Sequence, residues 1–491
     1  MGEGAMDTPG GCVEAMPLSR AHVWLCAAMS LLYMCNGMGM ESALFVFPRM
    51  QSDLGIATRE LGFVFSSQWG GSLLGTIVLS FVESAGRRRS LMMWMVVAAA
   101  GCVVQALADG LGMLVTGRII AGFGMGAAYP IGMGLLAELL PAQRRSTLLI
   151  IPHLGYPTGA LLALAAAAAE VPWRITLALP LLPVVGWLML SAVFIPESPR
   201  FLDCAGRTSE AWEVVRGLHS MAGLPVPAEV AEGACRVPSE GSSSSRRELG
   251  VSAFTWEELV SSGTIRKMGV VSCVWVCLAF ASQLMHVWLP YYTRQIANGG
   301  EAISREDGVV ELPYVSVAVF FSMDFAGIAV GSILSDKIGF LQPVRAGMLL
   351  AAATSFATLS VDNLPTDTLF GGVQQGSQAL CWVTIGALGT SLFPTVIRTT
   401  AHSTLRLVES FGMVVGPAVG GTVVGLSTES GLSLAVALGG SVYAIGFLAT
   451  YLIRDTDDPA HSSLEDSITE STDKQKLVDK TAEPSVYGAS A

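Results

Sequence analysis

Four ionisable residues lie inside long apolar runs of this sequence: Glu41, Arg118, Asp324 and Glu409. A charge near the centre of a bilayer costs at least about 2.5 kcal/mol on insertion scales, so such residues are paired or carry a function. A carboxyl group sealed from water can be neutralised by taking up a proton, which makes Glu41, Asp324 and Glu409 candidates for moving a proton with a solute. His153 is a fourth candidate, because imidazole titrates near neutrality. Glu41 keeps two readings, a coupling carboxylate or a packing partner of Arg118, and Arg118 either faces an outer cavity or makes that pair. Neutral polar groups accompany them. Gln283, His286 and Trp288 stand in one apolar run, and Gln374, Gln375 and Gln378 in another. Gln374 and Gln378, four residues apart, share a helical face that can hydrogen-bond a polar solute. Trp288, next to Pro290, Tyr291 and Tyr292, reads as an interfacial anchor. No nucleophile–base set, metal-ligand spacing or phosphate loop occurs, so the sequence predicts no enzyme, no cofactor and no metal site.

These residues must be positioned by elements that span a membrane. The chain has 491 residues, of which 52% are hydrophobic and 14% charged. Its mean hydropathy is +0.56. Soluble domains carry about 25% charged residues, so the composition is that of a multi-pass membrane protein. Twelve apolar runs are marked, at 22–47, 60–82, 91–108, 112–139, 147–169, 174–195, 268–291, 311–334, 343–361, 368–392, 399–425 and 430–453. An even number puts both termini on one side. Arg87, Arg88 and Arg89, Arg144 and Arg145, Arg200 and Arg207, Lys337 and Arg345, and Arg398 all fall in connections on that side, which the positive-inside rule makes cytosolic. The expected organisation is a cytosolic N-terminus at 1–21, a six-helix bundle at 22–195, a cytosolic linker at 196–267, a second bundle at 268–453 and a polar tail at 454–491. Within the linker, short amphipathic helices are predicted around Glu210–Leu218 and Trp256–Leu259. The net charge of −11 sits largely in loops and tail, which argues against nucleic acid as a partner. The nine cysteines lack metal spacing, and six of them lie in apolar runs as small buried side chains.

One arithmetic relation ties the halves together. Glu83 precedes Gly86 by 3 residues, Pro141 by 58 and Arg145 by 62; Asp336 precedes Gly339, Pro394 and Arg398 by the same intervals. A single offset of 253 therefore maps four positions, which points to an internal repeat of six spans. The offset also maps His153 onto Arg406 and Tyr156 onto Glu409, placing polar groups at two equivalent depths of spans five and eleven. It exposes an asymmetry as well, since Arg118 maps onto Gly371 and Glu138 onto Ser391.

The loop ESAGRRR at 83–89, the stretch Thr116–Arg145 with its Gly-Arg opening, spaced glycines and closing Glu138 and Arg145, and PESPRFL at 196–202 together resemble the major facilitator superfamily. Ser84 stands where that loop signature usually has a basic residue. PESPRFL is similar to the sequence after span six in the sugar-porter and organic-ion branches, and Glu41 in span one is closer to the vesicle-protein and organic-ion branch than to hexose carriers. The resemblance implies an all-α fold of twelve transmembrane helices in two pseudo-symmetric halves, with spans one, four, seven and ten lining the cavity. It also implies a cytosolic gate, for which the candidates are Glu83, Arg87, Arg88, Glu138, Arg145, Glu197, Arg200, Asp336 and Arg398. Such water-exposed pairs contribute about 1 kcal/mol or less each, weak enough to break in every cycle. The sequence thus predicts a monomeric secondary transporter in the plasma membrane or an intracellular vesicle membrane. Its expected partners are a small polar or charged organic solute, a proton and the lipid bilayer. A sugar or polyol carrier and a non-transporting vesicle or receptor-like protein stand as alternatives.

Overall fold

Long apolar helices account for most of the chain in the computed structural model, which describes residues 8–82, 86–226, 262–299, 312–393, 398–426 and 430–453. The first half contains α1 (Pro9–Ala15), α2 (Arg20–Leu54), α3 (Glu60–Val82), α4 (Arg87–Ala106), α5 (Leu111–Leu139), α6 (Arg145–Leu148), α7 (Gly155–Ala168), α8 (Trp173–Ala178) and α9 (Leu181–Val193). Two short helices follow, α10 (Pro199–Cys204) and α11 (Thr208–Ala222). The second half contains α12 (Ser262–Ala297), α13 (Tyr314–Ile338), α14 (Leu341–Thr358), α15 (Leu364–Ser391), α16 (Arg398–Leu426) and α17 (Gly431–Thr450). Eight spans among the described residues are long and apolar enough to cross a membrane, the joined α8–α9 among them. With α3, α6–α7, α14 and α15 they make twelve. Of the two predicted linker helices, the first is α11; the one around Trp256–Leu259 lies outside the described residues.

Local signals explain where helices begin and break. Ser19 caps α2 through reciprocal contacts with His22, and Gly55 closes it in the left-handed region at φ 67°. Asn363 caps α15 by accepting from the Thr366 N–H at 3.0 Å. Span five is interrupted by a 3-10 turn at Ile151–Leu154 that opens on Pro152. Span six divides into α8 and α9 around Pro180, and proline removes a helical hydrogen bond at each such point. Gly86, at φ 100°, starts α4, and a Cβ there would fall 2.6 Å from a Glu197 carboxylate oxygen. Glycine is therefore required on two grounds in the ESAGRRR loop. The glycine stripe of α5 lets backbones meet: a Cβ on Gly122 would lie 2.0 Å from the Gln68 carbonyl oxygen of α3.

The repeat read from the sequence is present in the helices. Shifted by 253, the limits of α3, α4 and α5 become 313–335, 340–359 and 364–392, against α13 at 314–338, α14 at 341–358 and α15 at 364–391. Packing repeats too. α5 packs on α3 and α4 as α15 packs on α13 and α14, and α2 packs on α7 and α9 as α12 packs on α16 and α17. Between the halves, α3 meets α16 and α7 meets α13, the reciprocal pairs that a two-fold relation requires.

The inter-half contacts gather at one end of the bundle, where α2 and α12 finish and α3 and α13 begin. Ser66 donates to the Val414 carbonyl at 2.6 Å, and the Trp69 indole donates to Gln283 at 2.9 Å. Phe45 meets Phe321 edge-on at 5.4 Å, and Phe47 meets Tyr291 at 6.5 Å. Trp288 is fully buried and donates to Pro417 at 3.3 Å. It is thus packed inside the second half, beside this seam, rather than standing as the interfacial anchor its neighbours suggested. The end far from the first residue of α2 is closed.

Candidate solute and coupling site

A buried polar layer lies just inside the closed end. α2 delivers Glu41, which has no solvent-accessible surface, and the Tyr156 hydroxyl of α7 donates to its Oε1 at 2.6 Å. From the other half, α12 brings His286 Nε2 to 2.8 Å from the same oxygen. The contact becomes an ion pair when the imidazole is protonated. The other imidazole nitrogen, Nδ1, faces the amides of Gln375 at 3.1 Å and Gln378 at 3.3 Å on α15. Gln375 also donates to Asp324 of α13 at 3.4 Å. Tyr443 of α17 donates to Gln378 at 3.0 Å and accepts from Gln374 at 3.3 Å. Glu41, His286 and Asp324 thus form one chain of polar contacts through six helices, with Phe321 edge-on to the imidazole at 5.0 Å. In a low-dielectric interior such a chain is costly unless its members satisfy one another.

Arg118 is not a direct partner of Glu41. Its guanidinium, with no accessible surface, donates from Nε to Val64 at 2.7 Å, from Nη1 to Gly39 at 3.3 Å and from Nη2 to Met40 at 3.4 Å. It lies 5.1 Å from the centre of the Phe65 ring. Because all three acceptors are backbone carbonyls of α2 and α3, Arg118 ties three helices together and does not open onto an outer cavity. Its charge remains close enough to Glu41 to act on it.

A second cluster lies nearer the opposite end. On α16, Arg406 Nη1 contacts both Glu409 carboxylate oxygens at 2.9 Å. The Arg406 side chain is 42% accessible and that of Glu409 5%. From the first half, Tyr33 and Tyr129 pack with ring centres 4.3 Å apart, and Tyr33 lies 4.6 Å from the His153 ring. These three groups are within electrostatic reach of Arg406. The sequence offset paired His153 with Arg406, and the structure brings the two into one cluster.

Comparison with known proteins follows the same lines. The Major Facilitator Superfamily profile matches residues 29–374, more than two thirds of the chain. The chain belongs to this superfamily. It is 26% identical over 472 residues to the 4-hydroxybenzoate transporter PcaK of Acinetobacter baylyi, covering 91% of this chain and 94% of that one. To the gallate transporter of Pseudomonas putida it is 24% identical, over 87% of this chain and 90% of that one. Human synaptic vesicle glycoprotein 2B is 26% identical, over 53% of this chain and 44% of that one. Among solved structures, the proton:xylose symporter XylE bound to a bromodeoxyglucose superposes with a TM-score of 0.63 at 18% identity, covering 88% of this chain and 95% of that one. A partially occluded inward-open form of the E. coli protein gives 0.64 at 16%, covering 88% and 98%. The chain is an integral, multi-pass membrane protein of a family that moves small solutes across membranes.

Within this superfamily member, the arginines of the expected gate meet acids both inside and outside the expected set. Arg145 donates to Glu14 at 2.7 Å, and Arg200 contacts the same carboxylate oxygen. Glu14 belongs to α1, which the sequence left as plain N-terminus. Arg87 approaches Glu138 at 3.9 Å, so Glu138 and Arg145 close the same stretch without forming a pair. Glu197 accepts the Arg88 backbone N–H at 3.0 and 3.2 Å, while the Arg88 guanidinium donates to Ala192 at 2.9 Å. Glu83 lies outside the described residues, as do the side chains of Asp336 and Arg398. The remaining candidates sort clearly. Glu41, Tyr156, Asp324, Gln374 and Gln378 join the layer, His153, Arg406 and Glu409 join the second cluster, and Gln283 serves the α3 contact. His286 and Gln375 were named in the sequence among the accompanying polar groups, with no role of their own. Tyr443, Tyr33 and Tyr129 gave no signal there, because a lone tyrosine in an apolar run reads as core.

Proposed function

We propose that this protein is a proton-coupled secondary transporter that moves a small polar or charged organic solute by alternating access, working as a monomer with both termini in the cytosol. The Glu41–His286 contact carries the reading. It joins the halves at 2.8 Å at the closed end, and it exists only while that end is shut. Opening must part the two groups and hydrate both, so their proton occupancy differs between the two conformations. A proton bound from one side and released on the other follows from that difference. Asp324, linked through Gln375, is the second carboxyl group in the path. The names of the relatives, transporters of 4-hydroxybenzoate and gallate and a proton:xylose symporter, support a small organic solute. A sugar carrier is less favoured because the glutamines that would bind hydroxyls are engaged by Trp69, His286 and Tyr443.

The experiment is uptake into liposomes containing the purified protein, with and without a pH gradient. Uptake driven by the gradient is expected, and Glu41→Gln and Asp324→Asn should uncouple it while leaving exchange of solute measurable. Gradient-insensitive uptake by the wild type would overturn the coupling.

A further inference from the structure

We infer that Arg406 is an anchor for a carboxylate group on the solute, so that the transported molecule is an organic monoanion with a flat, ring-bearing body. The inference rests on the transport reading above and narrows its solute.

Arg406 lies eight residues into α16, about 12 Å from its first residue at 1.5 Å per residue, yet it is 42% accessible. That accessible surface, on a guanidinium within electrostatic reach of Tyr33, Tyr129 and His153 of the first half, faces the space between the halves. Glu409 occupies one nitrogen only, Nη1, with both oxygens at 2.9 Å. Among the described residues, Nε and Nη2 have no acceptor. Two parallel donors remain, the fork that matches a carboxylate. Glu409 has the complementary task of holding the guanidinium in place and balancing its charge when the site is empty.

The facing wall supplies rings whose own polar atoms are largely spent. His153 Nδ1 is 3.1 Å from the Leu149 carbonyl, which fixes the proton there, and leaves Nε2 to accept from the Tyr33 hydroxyl at 3.4 Å. Tyr33, Tyr129 and His153 pack on one another within electrostatic reach of a cation with spare donors. A polyol needs donors and acceptors alike, and a cation would meet Arg406 as a like charge. A carboxylate on a flat body satisfies both walls. Because Arg406 comes from the second half and the rings from the first, such a solute would bridge the halves, as alternating access requires.

The test is calorimetric binding to the purified full chain at fixed pH, with 4-hydroxybenzoate, 4-hydroxybenzyl alcohol and 4-hydroxybenzylamine as probes. The carboxylate should bind at least about tenfold more tightly than either analogue, the factor expected from losing a charge-assisted pair. Arg406→Lys, which keeps the charge and loses the fork, should weaken carboxylate binding about tenfold. Arg216→Gln on α11 should not change it. In the wild-type chain, 4-hydroxybenzoate should protect Arg406 from phenylglyoxal, read by mass spectrometry, which tests the residue even if the Lys variant fails to fold. Absence of carboxylate binding, equal binding of the alcohol or amine, or modification undiminished by the carboxylate would each overturn the inference. Carboxylate binding without gradient-driven uptake would instead count against the transport reading.

Discussion

Gly62 offers a way to bias the conformational equilibrium from a single atom. It lies on α3 at the closed end, and a Cβ there would fall 2.2 Å from the Pro417 carbonyl oxygen of α16 and 3.3 Å from the Gly421 Cα. Ordinary contact begins near 3.4 Å, so Gly62→Ala leaves a shortfall of about 1.2 Å against backbone that cannot rotate away. Overpacking of this kind costs about 1–3 kcal/mol, and here only in the conformation that closes this end. Alanine's better helix propensity, worth up to about 1 kcal/mol, acts in both conformations and cancels. At 1.4 kcal/mol per tenfold, the ratio of open to closed should rise about 5- to 140-fold. The assay is the rate at which an impermeant thiol reagent labels Ser66→Cys in a cysteine-depleted background, because Ser66 is buried against Val414 only when this end is shut. Gly62→Ala should accelerate that labelling. Gly122→Ala, whose clash with Gln68 lies within one half, should lower the melting temperature and leave the labelling unchanged. An unaltered labelling rate in Gly62→Ala would refute the assignment of this seam as the moving one.

Two further perturbations separate structural from functional charges. Replacing Arg118 by Leu removes three donors to buried carbonyls, each charged hydrogen bond worth about 1.5–3 kcal/mol. It should lower the detergent-phase melting temperature sharply without altering solute selectivity, and a wild-type melt would show that Arg118 is not a tether. Glu14, on the membrane-external α1, is held below the usual carboxylate range, first by its hydrogen bond from Arg145 and further by Arg200. A depressed value means that the docking energy is present at neutral pH and is lost as the pH falls below the ordinary carboxylate range. The pairs are partly exposed and contribute about 1 kcal/mol or less each. Protease cleavage near residue 16 should therefore rise in acid, and Glu14→Gln should show the raised rate at every pH; a cleavage rate independent of pH in the wild type would contradict docking of α1 through Glu14.

The fold was legible because its signals are periodic and repeated. Apolar length marked the spans, and the 253 offset found from four positions reappears in the limits of α5 and α15 to within one residue. The glycines at 122 and 126 announced close packing, and both meet α3 carbonyl oxygens at 2.0 Å once a Cβ is added. Partnership was harder to read. Sequence shows that Glu41 and Arg118 share an apolar environment, but not that the arginine turns to carbonyls on α2 and α3 while the acid crosses to His286. Spacing along one helix says which residues share a face; it says nothing about which face of a distant helix will oppose it. Glu14 was missed for a related reason, since an acid in a seven-residue helix before the first span has no period to reveal it.

The departure from symmetry at position 118 has a physical counterpart. In the first half, Arg118 fills the space between α3 and α5 and bonds to Val64; its equivalent in the second half is Gly371. There the vacant volume is taken by the Phe320 ring of α13, whose atoms lie 2.5 and 2.6 Å from where a Gly371 Cβ would stand. One backbone arrangement is thus held by a charged tether in one half and by an aromatic ring in the other. The consequence reaches the site. With no buried cation at that place, α13 and α15 carry Asp324 and the Gln375–Gln378 pair toward His286, while in the first half the Arg118 guanidinium lies near Glu41, Tyr156 and Cys102. The two carboxyl groups of the layer therefore stand in different surroundings within a nearly symmetric frame, Glu41 near a buried guanidinium and Asp324 beside a glutamine amide.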